Sequence, residues 1–518
     1  MPLRIYNTLS RQIEPFVPAH PKVVRIYTCG LTTYAPMHAG HARTYCFWDL
    51  FRRYLEYRGY HLISVLNYTD IDDRIMQKAG GDKGCVDVAE AMIAAFRSDC
   101  RLLHIKDYAA YTRATDFVDE QVEMVAELLA KGNAYVTGGE AFYEVSTFPR
   151  YGALSGRNLE EQLVGASDRV DEDFARKRNP ADFTLWKPSD ANQPAWTTGH
   201  AEWPQGRPGW HIECSAMSTT LLGNHFDVHG GGVDNLFPHH ENEVAQSEPI
   251  CGHPWVRYWL HPEHLDLRGE KMSKSLGNVI HVPELCARHG YDALRWFFST
   301  HHYRTKLPFS WDLLDQSFAG YRRIRRLVEV IAEKLTAAAA AGPLPPLGVA
   351  GTYASQRSPE ERVPRMRHTY TVGAFGEQSA RFMDAFIAAM DDDLNTPIAI
   401  AAVFEYANAL YAAGVEASTD LVSLLSAYRC LTAHLAVLGV ELARPELHPE
   451  LCAESAAEPP SAAAASRGGD DALDRLVALR GQARAQRDFA KSDAIRKLLT
   501  EIGVDVEDKP DGSIWRVK

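Results

Sequence analysis

An excess of positive charge is the first thing this chain lacks. Lys+Arg number 55 against 67 Asp+Glu, a formal net charge of −12 over 518 residues, which excludes a generic basic nucleic-acid coat and leaves only a local basic face open. Cysteine is also scarce. Nine widely spaced thiols with no CxxC pair exclude a disulfide scaffold and point to a reducing compartment, with at most a few thiols kept as metal ligands. An apolar run of about 7–15 residues, as a signal peptide carries, is missing near the N-terminus, where Arg4, Arg11 and Glu14 interrupt. The long uncharged stretch Thr336–Gln356 contains Pro343, Pro345 and Pro346 and three glycines, which a membrane helix of about 20 residues does not. No internal repeat is found. What is present is ordinary globular composition, 46% hydrophobic and 24% charged, long enough for roughly three domains. These features together predict a soluble cytoplasmic enzyme.

The first third reads as α/β. Val24, Ile26 and Thr28 alternate in VVRIYTCG, predicting a strand that ends at Gly30. HARTYCFWDLFRRYLEYRG carries Phe47, Leu50, Phe51 and Leu55 at helical spacing, with Gly59 as a stop. HLISVLN predicts a second strand, so the order is βαβ, the seed of a parallel sheet. Thr115 is expected to cap a helix with Val118, Val122, Val125 and Leu129 on one face. From about Ser310 the pattern turns helical. Ser310 is expected to cap a helix through YRRIRRLVEVIAEKL, and Thr396 to cap one that Pro397 starts and that reaches Gly414; DLVSLLSAYRCLTAHLAVLG predicts another. Residues 336–364 and Ala457–Gly469 read as low-complexity linkers.

Two short motifs suggest chemistry. His38-Ala39-Gly40-His41 falls between the first strand and the first helix, where open parallel sheets bind ligands. Its histidines sit on one opening turn, so both rings can face one anion, and the exposed N–H groups and dipole of a helix start favour negative charge. Gly40 has no Cβ and lets a base or phosphate approach the backbone. Polar residues that merely cap a helix account for the tetrapeptide equally well. Lys271-Met272-Ser273-Lys274-Ser275, followed by Leu276-Gly277-Asn278, sets two ammonium groups on a loop suited to a polyphosphate and to closure. Elsewhere, Pro238 as a first helical residue places His239 and Glu243 at i and i+4 on one face. Such a pair chelates one ion, and Cys29 and Cys214 complete an S/N/O set suited to zinc. Spacing alone also fits two inert buried thiols and a loop histidine.

The two motifs together resemble class I aminoacyl-tRNA synthetases, whose signatures are HIGH and KMSKS. CGLTTYAPMHAGHARTY, YTDIDDRI, NPADFTLWK, RPGWHIECSAM, HGGGVDNLFPHHENE and EKMSKSLGN resemble the characteristic blocks of the cysteinyl-tRNA synthetase family, and YDALRWF resembles the opening of its helical anticodon-side domain. The resemblance covers nearly the whole chain. It implies an α/β fold with a Rossmann-type parallel-sheet catalytic domain over 1–305, including a connective insertion at about 100–205. An α-helical bundle over 306–456 and a small C-terminal anticodon-side domain over 470–518 would follow. It implies activation of L-cysteine with ATP and Mg2+ to cysteinyl-adenylate, then transfer to the 3′-terminal ribose of tRNA(Cys) with release of AMP and diphosphate. His38, His41, Lys271 and Lys274 take catalytic roles by this resemblance, and His38, Gly40, His41, Lys274, Gly232 and Asp234 would bind ATP. Gly30, Thr44, Thr69, Trp210 and His229 would line the cysteine pocket, and Cys29, Cys214, His239 and Glu243 fall on the family's positions for one zinc ion. The chain departs from the family at Leu31, where proline is usual, at Thr33, where valine is usual, and at Ala39, where isoleucine is common.

RNA is expected at the C-terminal end. Residues 471–518 hold ten basic and nine acidic side chains, so the acidic balance lies in the rest of the chain. Arg480, Arg484, Arg487 and Lys491 recur at helical spacing, and Trp515 is available to stack on a base. A solvated helical face explains the stripe as well. Arg322, Arg323, Arg325 and Arg326 form a second cluster. The resemblance makes a monomer with no membrane partner the expected form. Two competing readings are a cysteine:aminosugar ligase of the mycothiol-biosynthesis type, which lacks the RNA-binding half, and an inactive RNA-binding paralogue.

Overall fold

Alternating large apolar residues build the strands expected near the N-terminus and place them in one sheet. In the computed structural model, which describes residues 2–80, 84–157, 176–267, 270–271, 279–342, 344, 369–442, 504–509, 512–517 and isolated positions between 477 and 499, a hairpin of β1 (Arg4–Asn7) and β2 (Gln12–Pro15) comes first. β3 (Val23–Thr28), α1 (Ala39–Tyr57) and β4 (His61–Tyr68) form the expected βαβ unit. α2 (Asp73–Ala79), α3 (Cys85–Leu102), β5 (Ala110–Arg113) and α4 (Val118–Ala130) follow. An antiparallel sheet is then built from β6 (Ala134–Thr137), β7 (Glu140–Tyr143), β8 (Phe183–Lys187), β9 (Trp196–Thr197) and β10 (Gln205–Pro208). α5 (Trp210–Leu222), β11 (Phe226–Gly230), α6 (Glu241–Cys251) and β12 (Val256–Leu260) return the chain to the first sheet.

That sheet is parallel throughout, in the order β12-β11-β3-β4-β5. The order reverses between β3 and β11, which is where open α/β sheets present a ligand crevice at their carboxyl ends. Cys29 and Gly30 leave β3 at this point, Gly231 and Gly232 leave β11, and α1 begins above it.

A small sheet of β13 (Leu265–Leu267), β14 (Glu270–Lys271) and β15 (Leu307–Pro308) leads, with α7 (Val282–His289) and α8 (Tyr291–Ser299), into the helical half. There α9 (Trp311–Ala341), α10 (Gly376–Asp391), α11 (Thr396–Ala412) and α12 (Leu421–Val437) pack together. Their core is continuous with that of α1, joining Trp48, Phe51 and Tyr54 to Ile324, Phe386 and Leu431. A buried ionic cluster reinforces the junction. Asp49 on α1 accepts from Arg53 Nε at 2.7 Å, Arg295 Nη2 at 2.6 Å and the Lys106 amide at 2.9 Å. Burial opposes its charge, but Arg295, Arg53 and Arg52 overcome this and hold the carboxyl well below the usual carboxylate range. Arg295 reaches on to the Leu438 carbonyl and fills the space over Gly439, where a Cβ would lie 1.9 Å from the guanidinium.

Three local expectations are corrected. Thr115 caps nothing. It lies in a 3-10 turn (Ala114–Phe117), its hydroxyl donates to Asp70 at 2.6 Å, and α4 starts only at Val118. α9 runs on through Thr336–Ala341 into the expected linker, because alanine is the best helix former and its low complexity was no bar. Asn395 rather than Thr396 caps α11, its side chain accepting from the Ile398 amide. Ser310 caps α9 as expected, by accepting from the Leu313 amide at 3.2 Å. At the C-terminal end β16 (Val504–Lys509) and β17 (Gly512–Val517) pair antiparallel. No helix among the described residues is long and apolar enough to cross a membrane.

Candidate active site and metal centre

α1 opens on the HAGH segment. His38 stands in extended backbone, and its Nδ1 accepts from the Gly40 amide at 3.1 Å and the His41 amide at 3.3 Å. The His38 amide in turn donates to His41 Nδ1 at 3.5 Å, and the Ala39 amide donates to the Ile280 carbonyl at 2.9 Å. The first-turn amides expected to be exposed to an anion are therefore already paired. With both Nδ1 atoms accepting, each neutral ring carries its proton on Nε2. The rings stack 3.6 Å apart at 15°. The backbone amides at this helix start are thus engaged within the HAGH segment and with Ile280.

The four expected metal ligands come from three elements and meet in one place. Cys29 follows β3, Cys214 lies on α5, and His239 and Glu243 flank the start of α6. One ligand atom from each lies within 4.8 Å of all the others, and all four residues are buried. Cys29 Sγ is 3.9 Å from Cys214 Sγ and 3.7 Å from Glu243 Oε1, and His239 Nε2 is 3.0 Å from Glu243 Oε1. Tetrahedral coordination with Zn–S of about 2.3 Å and Zn–N or Zn–O of about 2.0–2.1 Å spaces its ligands at roughly 3.3–3.8 Å; the two edges from Cys29 lie within or just above that range, and the His239–Glu243 edge is shorter, drawn in by a direct hydrogen bond. The electrostatics of the cluster agree. Burial opposes the charge on Glu243, yet His229 and His239 hold its carboxyl down to about 2. Burial likewise opposes the thiolate of Cys214, but Cys29 and His239 bring it down to about 6, while burial and Cys214 push Cys29 well up. His239 is raised to about 10 by Glu243 and Cys214 against the effect of burial. The set thus offers a carboxylate and a thiol eased toward its thiolate, the charged donors that a metal site needs.

Further groups that spacing did not reveal surround the ligands. His211 Nδ1 lies 2.9 Å from His239 Nδ1, and His240 Nε2 lies 3.2 Å from Cys29 Sγ. Glu213, beside Cys214, is fully buried, accepts from Thr69 Oγ1 at 2.9 Å and is pushed well up by burial and then by Cys214. Their only sequence signal was proximity to a ligand in GWHIEC and PHHENE.

The expected pocket residues fall at differing depths. Trp210 stacks on His239 at 4.4 Å, and Thr44 lies beside Gly232. His229 is buried behind the metal cluster, its Nε2 2.7 Å from Glu243 Oε2 and its Nδ1 3.1 Å from the Tyr27 carbonyl. Gly30 is dictated by packing, since a Cβ would lie 1.6 Å from the Asn67 carbonyl oxygen. Asp234 follows Gly232 in a short helical turn, Val233–Asn235. The unusual Leu31 and Thr33 pair with Thr69, the Leu31 carbonyl accepting its amide at 3.2 Å and the Thr33 hydroxyl donating to its carbonyl at 3.1 Å. Lys271 ends β14, whereas Lys274 lies outside the described residues.

At the expected RNA end, Arg484 is exposed but Arg480 is only 5% exposed. Val477, Ile495 and Leu499 join the core that contains Ile212 and Met217, so this helical segment packs inward at Arg480 and the proposed stripe is interrupted there. Arg487 and Lys491 lie outside the described residues, and Trp515 is placed on β17. Of the second cluster, Arg323 donates to Asn408, and Arg325 and Arg326 pair with Glu329 and Glu333.

Comparison with known proteins agrees with this architecture. Residues 15–319 match the model for the class I (C) tRNA synthetase catalytic domain, and residues 385–443 match the DALR domain. The chain is 40% identical over 519 residues to a cysteine–tRNA ligase of Symbiobacterium thermophilum, covering all of both chains. It is 39% identical over 522 residues to one of Thermococcus onnurineus, covering all of this chain and 99% of that one. Among solved structures, a leucyl-tRNA synthetase of Agrobacterium radiobacter K84 in a ternary complex superposes with a TM-score of 0.56 at 13% identity, over 85% of this chain and 86% of that one. A Mycobacterium tuberculosis methionyl-tRNA synthetase superposes with a TM-score of 0.51 at 16% identity, over 91% and 96%. The structural likenesses establish the fold, and the full-length identities with the domain matches establish the kinship: the chain belongs to the cysteine–tRNA ligase family of class I tRNA synthetases.

Proposed function

We propose that this protein joins L-cysteine to tRNA(Cys) at the expense of ATP, selecting the amino acid through a zinc ion held by Cys29, Cys214, His239 and Glu243. The observation that carries the reading is the convergence of those four buried donors, beside the HAGH helix start, at the carboxyl ends of β3 and β11. Bound zinc would supply a soft Lewis acid that prefers a substrate thiolate over a serine hydroxyl. A cavity alone separates such near-isosteres by only about 10–200-fold.

The chain's own groups carry the rest. Trp210 and Thr69 border the space next to the ligands, and Glu213 orients the Thr69 hydroxyl. Gly30 and Thr44 shape the floor of the cysteine pocket, and His229 supports Glu243 from behind. In the first step the cysteine carboxylate attacks the α-phosphorus of magnesium-bound ATP and diphosphate leaves. His38 and His41 donate their Nε2–H groups to charge developing at the α- and β-phosphates, and Lys274, aided by Lys271, draws charge at the β- and γ-phosphates. Gly232 and Asp234 lie toward the adenylate's sugar and base. In the second step the terminal ribose hydroxyl attacks the activated carbonyl and AMP leaves. We place the catalytic unit in 1–305, the bundle in 306–456 and a tRNA-contacting unit in 470–518 that uses Arg484, Arg487, Lys491 and Trp515. The protein acts as a cytoplasmic monomer.

The full-length relatives and the DALR match favour this reading over the aminosugar ligase. One assay decides. With bulk tRNA and an aminosugar offered side by side, cysteine should be esterified to tRNA alone; transfer to the sugar would reverse the choice. Replacing Arg484, Arg487 and Lys491 together by alanine should lower tRNA charging at least about tenfold through lost phosphate contacts while pyrophosphate exchange stays nearly unchanged. Equal losses would count against placing RNA contacts there.

A further inference from the structure

One contact beside the metal cluster takes no part in the chemistry above. Glu241, two residues before Glu243, is completely buried, yet its carboxylate meets no metal ligand. Oε1 accepts the Gly152 amide at 2.8 Å and Oε2 accepts the Ser155 amide at 2.7 Å. Both amides belong to one turn of the inserted region. The same turn meets the same helix on either side: the Tyr151 hydroxyl donates to Asn242, Arg150 pairs with Glu248 at 2.7 Å, and the Arg157 guanidinium lies 4.5 Å over the Phe237 ring. Gly152 has φ of +92°, a left-handed conformation that favours glycine. From the far side Arg11 donates to the Ala153 carbonyl at 3.3 Å.

We propose that Glu241 is a positioning residue for amino-acid selection: by gripping turn 150–157 with both carboxylate oxygens, it fixes the start of α6, which His239 and Glu243 flank at their metal-binding spacing. The physical need is clear from the backbone. Phe237 departs from helical geometry (φ −137°, ψ 133°) just before His239, so the N-terminal end of α6 has no continuous helix behind it. The turn supplies backbone support there, beside the side-chain contacts of His211, Trp210 and His229 with the ligands. A carboxylate suits this role because each oxygen accepts one amide, and a glutamine side chain offers only one acceptor oxygen for the two donors.

The inference rests on the zinc reading given under Proposed function. Its test uses the full-length protein, loaded with zinc or with Co2+, and three variants. E241Q should release metal to a chelator faster than the parent, by less than the roughly 10–100-fold that loss of a partner bonded directly to a ligand costs. It should also shift the visible Co2+ bands in the absence of any substrate and lower the cysteine-over-serine preference in pyrophosphate exchange. G152A strains the turn without touching the helix, so it should move the same readouts in the same direction even if E241Q folds poorly. E248Q breaks the Arg150 pair beyond the ligands and should leave the spectrum and the release rate as in the parent. A parental spectrum and release rate in E241Q or G152A would overturn the proposal, as would an equal change in E248Q, which would mark a general loosening. A parent protein that takes up neither metal would instead overturn the zinc reading, and this inference with it.

Discussion

Cys214→Ala is expected to abolish zinc retention and cysteine-dependent pyrophosphate exchange together. Among the four ligands, Cys214 is the sulfur whose pKa is drawn down, to about 6, while Cys29 is pushed up by burial and by Cys214. Removing it takes away one of the cluster's two sulfurs and leaves Cys29, Glu243 and His239 without their fourth corner. Loss of an outer-shell partner alone typically costs 10–100-fold in metal affinity or activity, so loss of a ligand should exceed about 100-fold in exchange rate. The fold should persist, because Cys214 sits on α5 within a core of many apolar side chains. Metal content by elemental analysis and exchange rate would be measured on the same preparation. Full zinc content with full exchange would refute the assignment.

Lys274→Ala is expected to slow adenylate formation by about 10²–10³-fold, the usual effect of removing one donor that stabilises transition-state charge. Cysteine binding should survive, because the proposed amino-acid pocket rests on Trp210, Thr69 and the four clustered ligands rather than on Lys274. The structure sharpens this prediction. Since the Gly40 and His41 amides are spent on His38, the proposed site meets phosphate charge with the two imidazole N–H groups, the lysines and the magnesium ion rather than with those amides. The loss of one lysine is then poorly compensated. Single-turnover adenylate formation and a cysteine-binding isotherm separate the two effects, and an unchanged exchange rate would contradict the role.

How much of this was legible depended on how local the signal was. The βαβ unit, the Ser310 cap and the helix over 421–437 were readable because apolar period and capping residue lie within one element. Thr115 misled for a tertiary reason, since its hydroxyl is claimed by Asp70 forty-five residues away. The alanines after Thr336 misled through composition, which reads as a linker although each residue favours helix. His239 and Glu243 were paired by their i, i+4 spacing, and family resemblance gave Cys29 and Cys214 weight as their partners, because no local spacing joins residues from three elements. The roles of His211, His240, Glu213 and Glu241 were invisible for the same reason: a buried polar side chain is identified by its partner, and their partners are distant in the chain or set by the fold. Arg480 was misread as part of the exposed stripe, because periodicity shows which residues share a face but not which way that face turns at each of them.

The central claim is that a metal held by these four residues reads the substrate's sulfur. The most direct measurement compares cysteine- and serine-dependent pyrophosphate exchange on one preparation, zinc-loaded and then zinc-stripped. The loaded protein should activate cysteine and reject serine by far more than the roughly 10–200-fold that a cavity achieves, and stripping should remove cysteine activation. Stripped protein that still activated cysteine and rejected serine equally well would contradict the account.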